Sequence, residues 1–98
     1  MLTTITNAIA TQSRLSISYD PGMRIIEPHA IGYSKDGNIL IRAYQTEGVS
    51  ASGEHENWKL FRLDRLIVAN DNGQHFDGPR PDYKKGDKAM KGGIIAEL

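Results

Sequence analysis

A chain of 98 residues with twelve basic and twelve acidic side chains and 39% hydrophobic residues can build one domain around one core and not two. Its zero formal charge argues against a general nucleic-acid coat protein, which would be strongly basic, yet leaves room for a local basic patch. The absence of cysteine excludes disulfide staples, thiol nucleophiles and zinc–thiolate sites.

No apolar run approaches the ~20 residues a membrane helix needs, and the start MLTTITNAIATQSR lacks the charged-then-apolar pattern of a secretion signal. A cytoplasmic protein with no membrane partner is expected. Leu2, Ile5 and Ile9, joined by Ala8, recur at helical spacing behind Thr3 or Thr4 as an N-cap, which predicts one short amphipathic helix over about residues 3–13. LSISY then sets Leu15, Ile17 and Tyr19 against Ser16 and Ser18, the period of a half-buried strand, and DPG at 20–22 supplies the turn of a hairpin. MRIIEPHAIGYS is rich in β-branched residues but holds Pro28, which has no N–H for a ladder, so a strand bent or interrupted near Glu27 and Pro28 is expected.

SKDGN is a second turn. ILIRAYQ follows as a strand, with Ile39, Ile41 and Ala43 on one face and Leu40, Arg42 and Tyr44 on the other. The small, polar stretch from Thr46 to Asn57 reads as an exposed loop. WKLFRL and LIVA are two further strands about the tight DR step, and NDNG is the next turn. About five short strands after one helix describe a mainly β domain over residues 1–78, a strongly curved sheet or small barrel with the helix over an open end. From residue 79 the composition changes: two prolines, three glycines and four lysines between 79 and 93 give a segment with little drive to fold by itself. Residues 79–98 are therefore expected to be a flexible tail, or a docking peptide whose GIIAEL adds a strand or helix to a partner.

Within WKLFRL, strand alternation places Trp58, Leu60 and Arg62 on one face and Lys59, Phe61 and Leu63 on the other, with Phe61 and Leu63 as core. An aromatic ring, an aliphatic side chain and a planar cation on one face can stack a flat ligand while pairing with its phosphate or carboxylate. Those same arginines have a plainer use, since Arg62 and Arg65 can pair with Asp64, Asp36 or Glu27. Tyr44 and Trp58 are equally open to two readings, as ligand platform or as core and edge cap.

These residues carry a resemblance. ISYDPGMRIIEPHAIGYSKDGNILIRAYQTEG, followed by WKLFRLDRLIVANDNGQHF, resembles a WYL domain, the small β-barrel sensor module of bacterial transcription regulators and of some phage-defence and helicase proteins. The likeness covers about Ile5 to Phe76; its strongest parts are Tyr19, RIIEP at 24–28, Ala43-Tyr44, and FRLDRL at 61–66 followed by Phe76. Where the family has its Trp-Tyr-Leu triplet, this chain has Ile39-Leu40-Ile41. The resemblance implies a five-stranded SH3- or Sm-like barrel and a non-enzymatic role: binding single-stranded nucleic acid or a nucleotide-like anionic effector through clustered arginines. Carried over by position, it points to Arg24, Arg62 and Arg65 with Tyr44 nearby. Strand parity adds Arg42, and Trp58, arriving from the neighbouring strand, is expected to compensate in part for the lost aromatic pair. Relatives carry the module beside a winged-helix domain, for which this chain has no room.

Other chemistry is weakly represented. His29, His55 and His75 form no i, i+4 pair, and NDNGQHFD lacks the closing glutamate of a calcium loop. No glycine-framed nucleophile and no phosphate-cradling glycine loop is present. The sequence thus predicts no catalytic residue, metal or cofactor. A second reading, a structural protein that forms a homodimer or joins a protein partner through its sheet edge or tail without a ligand, remains beside the first.

Overall fold

The computed structural model describes residues 1–98, and its first element, α1 (Leu2–Thr11), follows the apolar spacing that predicts it. Ile5, Ala8 and Ile9 are its buried face. No side chain caps its N-terminus, so neither Thr3 nor Thr4 has the expected role. The helix ends at Gln12, whose left-handed backbone (φ 52°, ψ 49°) turns its N–H back to the carbonyls of Ala8 and Ile9.

Six strands follow: β1 (Ser13–Tyr19), β2 (Gly22–Tyr33), β3 (Ile39–Gly48), β4 (Asn57–Arg62), β5 (Val68–His75) and β6 (Gly93–Glu97), with one 3-10 turn at Leu63–Arg65. All pairings are antiparallel, in the order β4-β3-β2-β1-β5, and β6 lies against the far end of β2. β4 and β5 are not paired with each other, so the expected five-stranded barrel is corrected to an open six-stranded sheet. One side of the sheet packs under α1. There Leu15, Ile17, Ile26, Ile31, Ile41 and Phe61 meet Ile5 and Ile9, each at most 3% exposed. Burial of each large apolar side chain in such a cluster contributes about 1.5–3 kcal/mol.

β2 holds the sheet together because it is paired along both edges and buried on both faces from Ile26 to Gly32. Pro28 does not interrupt it. The ladder with β3 shifts register between Pro28 and Ala30, a bulge that absorbs the missing N–H and makes His29 the extra residue. The expected NDNG turn is likewise a bulge within β5: Ser13 faces His75 while Leu15 faces Asp71, and the residues between loop out around Gly73 (φ 81°).

The largest departure from expectation is the C-terminus. Residues 79–92 form a strap across the face of the sheet remote from α1, and β6 then pairs with β2 at Ala30–Tyr33. Met90 is 3% exposed, and the Leu98 N–H reaches the His29 carbonyl. Proline, glycine and lysine give this segment no core of its own. What orders it is the set of unmet partners on the outer side of β2, β3 and β4, namely a carboxylate, an imidazole and two aromatic rings. GIIAEL does add a strand, but to its own chain. No helix is long and apolar enough to cross a membrane.

Candidate functional site

Strand parity from the sequence is obeyed: Arg42 faces Leu60 and Tyr44 faces Trp58 across β3 and β4, while Ile41 faces Phe61 on the core side. The six candidate residues nevertheless fall into separate environments.

Arg24 and Arg65 share a cavity of about 300 Å³ bounded by Tyr19, Lys59 and Phe61. Arg24 is only 4% exposed, and its guanidinium carbon sits 5.3 Å from the ring centroids of both Tyr19 and Phe61. Its Nε donates to the Tyr19 carbonyl (3.1 Å), Nη1 to Gln45 Oε1 (3.2 Å) and Nη2 to the Asp20 carbonyl. Every acceptor is neutral. The chain's ion pairs engage Arg14, Arg42, Arg62 and Arg80, not Arg24. Burial accordingly lowers the Arg24 pKa, with the nearby Tyr19 and Asp20 groups acting in the opposite direction. Gln45, fully buried, spends Oε1 on Arg24 and its Nε2–H on the Val49 carbonyl (2.8 Å). At the rim, Lys59 Nζ donates to Ser50 Oγ (2.9 Å) and Ser52 Oγ (3.2 Å), and Arg65 is exposed. Asp20 is the one carboxylate lining this cavity, against three cations.

Arg62 stands apart. Its Nη2 and Nε grip Asp64 (2.7 and 3.1 Å), and Nη2 also reaches Asn38 Oδ1 (3.3 Å). The pair raises the Arg62 pKa and lowers that of Asp64, in solvent. This is the plainer of the two uses open to it from the sequence.

Tyr44 lies beneath Arg80 of the strap, whose guanidinium carbon is 4.3 Å from the ring centroid. Arg80 also donates to both oxygens of Glu27 (2.7 and 3.2 Å), and Arg14 Nε donates to Glu27 Oε2 (2.9 Å). Glu27 is 1% exposed. Burial alone would raise its pKa, but the hydrogen bonds from Arg80 and Arg14 outweigh this and hold it below the usual carboxylate value. Beside it, His29 Nε2 lies 3.0 Å from the Arg80 N–H, an obligate donor, so Nε2 accepts and the proton sits on Nδ1, which donates to the Glu27 carbonyl (2.8 Å). Trp58 packs edge-on against His29 (4.7 Å) and Tyr44 (5.6 Å) and stacks with Tyr83 of the strap (6.0 Å, 24° between planes).

Arg42 and Trp58 open instead on a cleft of about 400 Å³ between β3, β4 and the strap. Arg42 is held there by Asp87, with Nε to Oδ2 at 2.6 Å and Nη2 to Oδ1 at 3.3 Å.

Sequence reasoning missed Glu27, His29, Gln45, Lys59, Arg80 and Tyr83 as site-forming residues. Gln45 carried a readable signal, an amide on the apolar face of ILIRAYQ. Arg80 and Tyr83 in PRPDY carried one too, an arginine and an aromatic in a strap whose one large aliphatic side chain is Met90. The three histidines stay dispersed, and no group of three or more His, Asp or Glu side chains is placed to hold a metal ion. Compared with family models, curated proteins and solved structures, the chain matches none, so the site stands on its own geometry.

Proposed function

We propose that the chain is a non-enzymatic binding module of the WYL type, its sheet related to SH3- and Sm-like barrels. In this reading it holds the phosphate of single-stranded nucleic acid or of a nucleotide-like effector between Arg24, Lys59 and Arg65. The observation that carries this is Arg24. A guanidinium 4% exposed and bonded only to neutral acceptors bears the cost of desolvation with no carboxylate bonded to it, Asp20 being the one acidic side chain of the cavity, and buried charges are otherwise paired. A bound anion supplies a directly bonded counter-charge where one carboxylate, Asp20, faces three cations. The Tyr19 and Phe61 rings fix the guanidinium in advance, which reduces the entropy lost on binding.

Fluorescence anisotropy with a labelled single-stranded oligonucleotide, and competition by nucleotides, tests the reading. Affinity should fall as salt rises, with a slope reporting a few phosphate contacts. Arg65→Ala, at an exposed position, should weaken binding with the fold intact, whereas Arg62→Ala should not, because Asp64 already occupies that guanidinium. Absence of binding at low salt, or equal loss in both variants, would overturn it.

A further inference from the structure

The cleft under the strap uses other side chains and does not depend on the Arg24 reading. Its volume of about 400 Å³ lies in the range of small-molecule sites, roughly 300–1,000 Å³. The strap brings Lys84, Lys85 and Lys88 to its rim, all three exposed and none in an ion pair. Of the two lining carboxylates, Asp87 is committed to Arg42 and to the Ala89 N–H (2.9 Å), which leaves Asp82, with Glu97 behind the lining on the Gly86 N–H (3.0 Å), against the three ammonium groups. In a chain of zero net charge this is a local positive excess.

The aromatic part of the cleft is equally prepared. Trp58 is braced edge-on by His29 and Tyr44, and Tyr83 is held by its stack on Trp58 and by its hydroxyl, which donates to the His29 carbonyl (3.3 Å). Two fixed rings beside exposed ammonium groups suit a ligand with a flat end and a multiply charged end. We propose that this cleft is a second binding site, specific for a nucleoside diphosphate, with the base against Trp58 and Tyr83 and the diphosphate on Lys84, Lys85 and Lys88.

Trp58 is the chain's single tryptophan, so its fluorescence reports the cleft directly. Titration of the full chain with adenosine diphosphate at low salt should give saturable quenching. Adenosine alone and pyrophosphate alone should each bind at least about ten-fold more weakly, since each meets half of the site. Lys84→Ala/Lys85→Ala/Lys88→Ala, with an unchanged circular dichroism spectrum, should weaken the diphosphate at least about ten-fold. Arg65→Ala should leave it unaltered. Absence of saturable quenching, pyrophosphate binding as tightly as the nucleotide, undiminished binding by the triple variant, or loss of binding in Arg65→Ala would each overturn the proposal; the last would place the ligand in the Arg24 cavity.

Discussion

Met90→Ala separates a docked strap from a flexible tail. Met90 is 3% exposed, although it lies in the most lysine- and glycine-rich part of the chain. Its side chain sits on Gly32 of β2: a Cβ built at Gly32 would come within 3.0 Å of Met90 Sδ and 3.1 Å of Met90 Cβ. Truncating a buried methionine to alanine removes its transfer free energy and leaves a cavity, together about 2–5 kcal/mol in well-packed sites. A strap anchored at one edge of the sheet can partly collapse onto the gap, so about 2–3 kcal/mol is the expected loss. For a domain of this size that lowers the melting temperature by about 8–24 °C. Urea unfolding followed by circular dichroism measures the loss, with exposed Lys91→Ala as a control expected within about 0.5 kcal/mol of wild type. Gly32→Ala attacks the same contact from the other side, because its Cβ would meet the Gly93 carbonyl oxygen at 2.6 Å, a backbone atom that cannot rotate away. If both Met90→Ala and Gly32→Ala fall within about 0.5 kcal/mol of wild type, the strap does not dock as described.

On the core side, Phe61→Ala should cost about 3–5 kcal/mol; Leu60→Ala, 40% exposed on the opposite face of the same strand, should cost under about 1 kcal/mol, and a reversed order in urea would invert the face assignment. Arg62→Ala should leave the melting temperature unchanged, since its pair with Asp64 lies in solvent and is screened there; a clear loss of stability would make Arg62 a structural residue. Acidification should act in two windows, because burial lowers the His29 pKa and Arg80 and Arg14 hold that of Glu27 down. Both groups bind protons more readily unfolded, so the His29 contribution is complete above its unfolded value of about 6.5 and declines below it, and the Glu27 contribution declines below an unfolded value of about 4.3. Unfolding free energy measured from about pH 8 down to about pH 3 should therefore fall as the pH falls, and a flat profile from about pH 7 to about pH 5 would remove His29 from the account.

The faces of β1, β3 and β4 were legible because period-two patterning depends only on near neighbours, whereas LIVA predicted a strand at 66–69 and the strand instead runs from Val68 to His75, after a 3-10 turn at Leu63–Arg65. Ile41 and Phe61 face the core, and Arg42 and Trp58 face away from it, as alternation requires. Closure was not legible, because it depends on whether β4 meets β5, a long-range fact that no local pattern encodes. The bulges at His29 and in NDNG were hidden for a related reason: Pro28 and Asn72-Gly73 announce irregularity, but not whether the partner strand accommodates it. For the site, parity put Arg42 with Tyr44 on one face of their strand and Trp58 with Arg62 on one face of the next, without showing that Tyr44 meets Trp58 or what covers them. The missing information lay far downstream, in PRPDY and at Asp87, where composition alone argues for disorder.

That cover is built mainly from directional contacts. Glu27 joins β1 through Arg14 and the strap through Arg80, and His29 fixes the Arg80 backbone and the Tyr83 hydroxyl. A buried carboxylate with two arginines gains little net stability over an apolar isostere, yet withdrawing the arginines leaves an uncompensated carboxylate in the interior. Such a cluster therefore penalises misplacement more than it rewards assembly. A strap held by apolar contacts alone could slide by a residue at small cost, whereas one that must present an N–H to His29 Nε2 and a guanidinium to Glu27 has a single register. The register that satisfies those two residues also sets Tyr83 on Trp58 and Asp87 on Arg42, and with them brings Lys84, Lys85 and Lys88 to the open cleft.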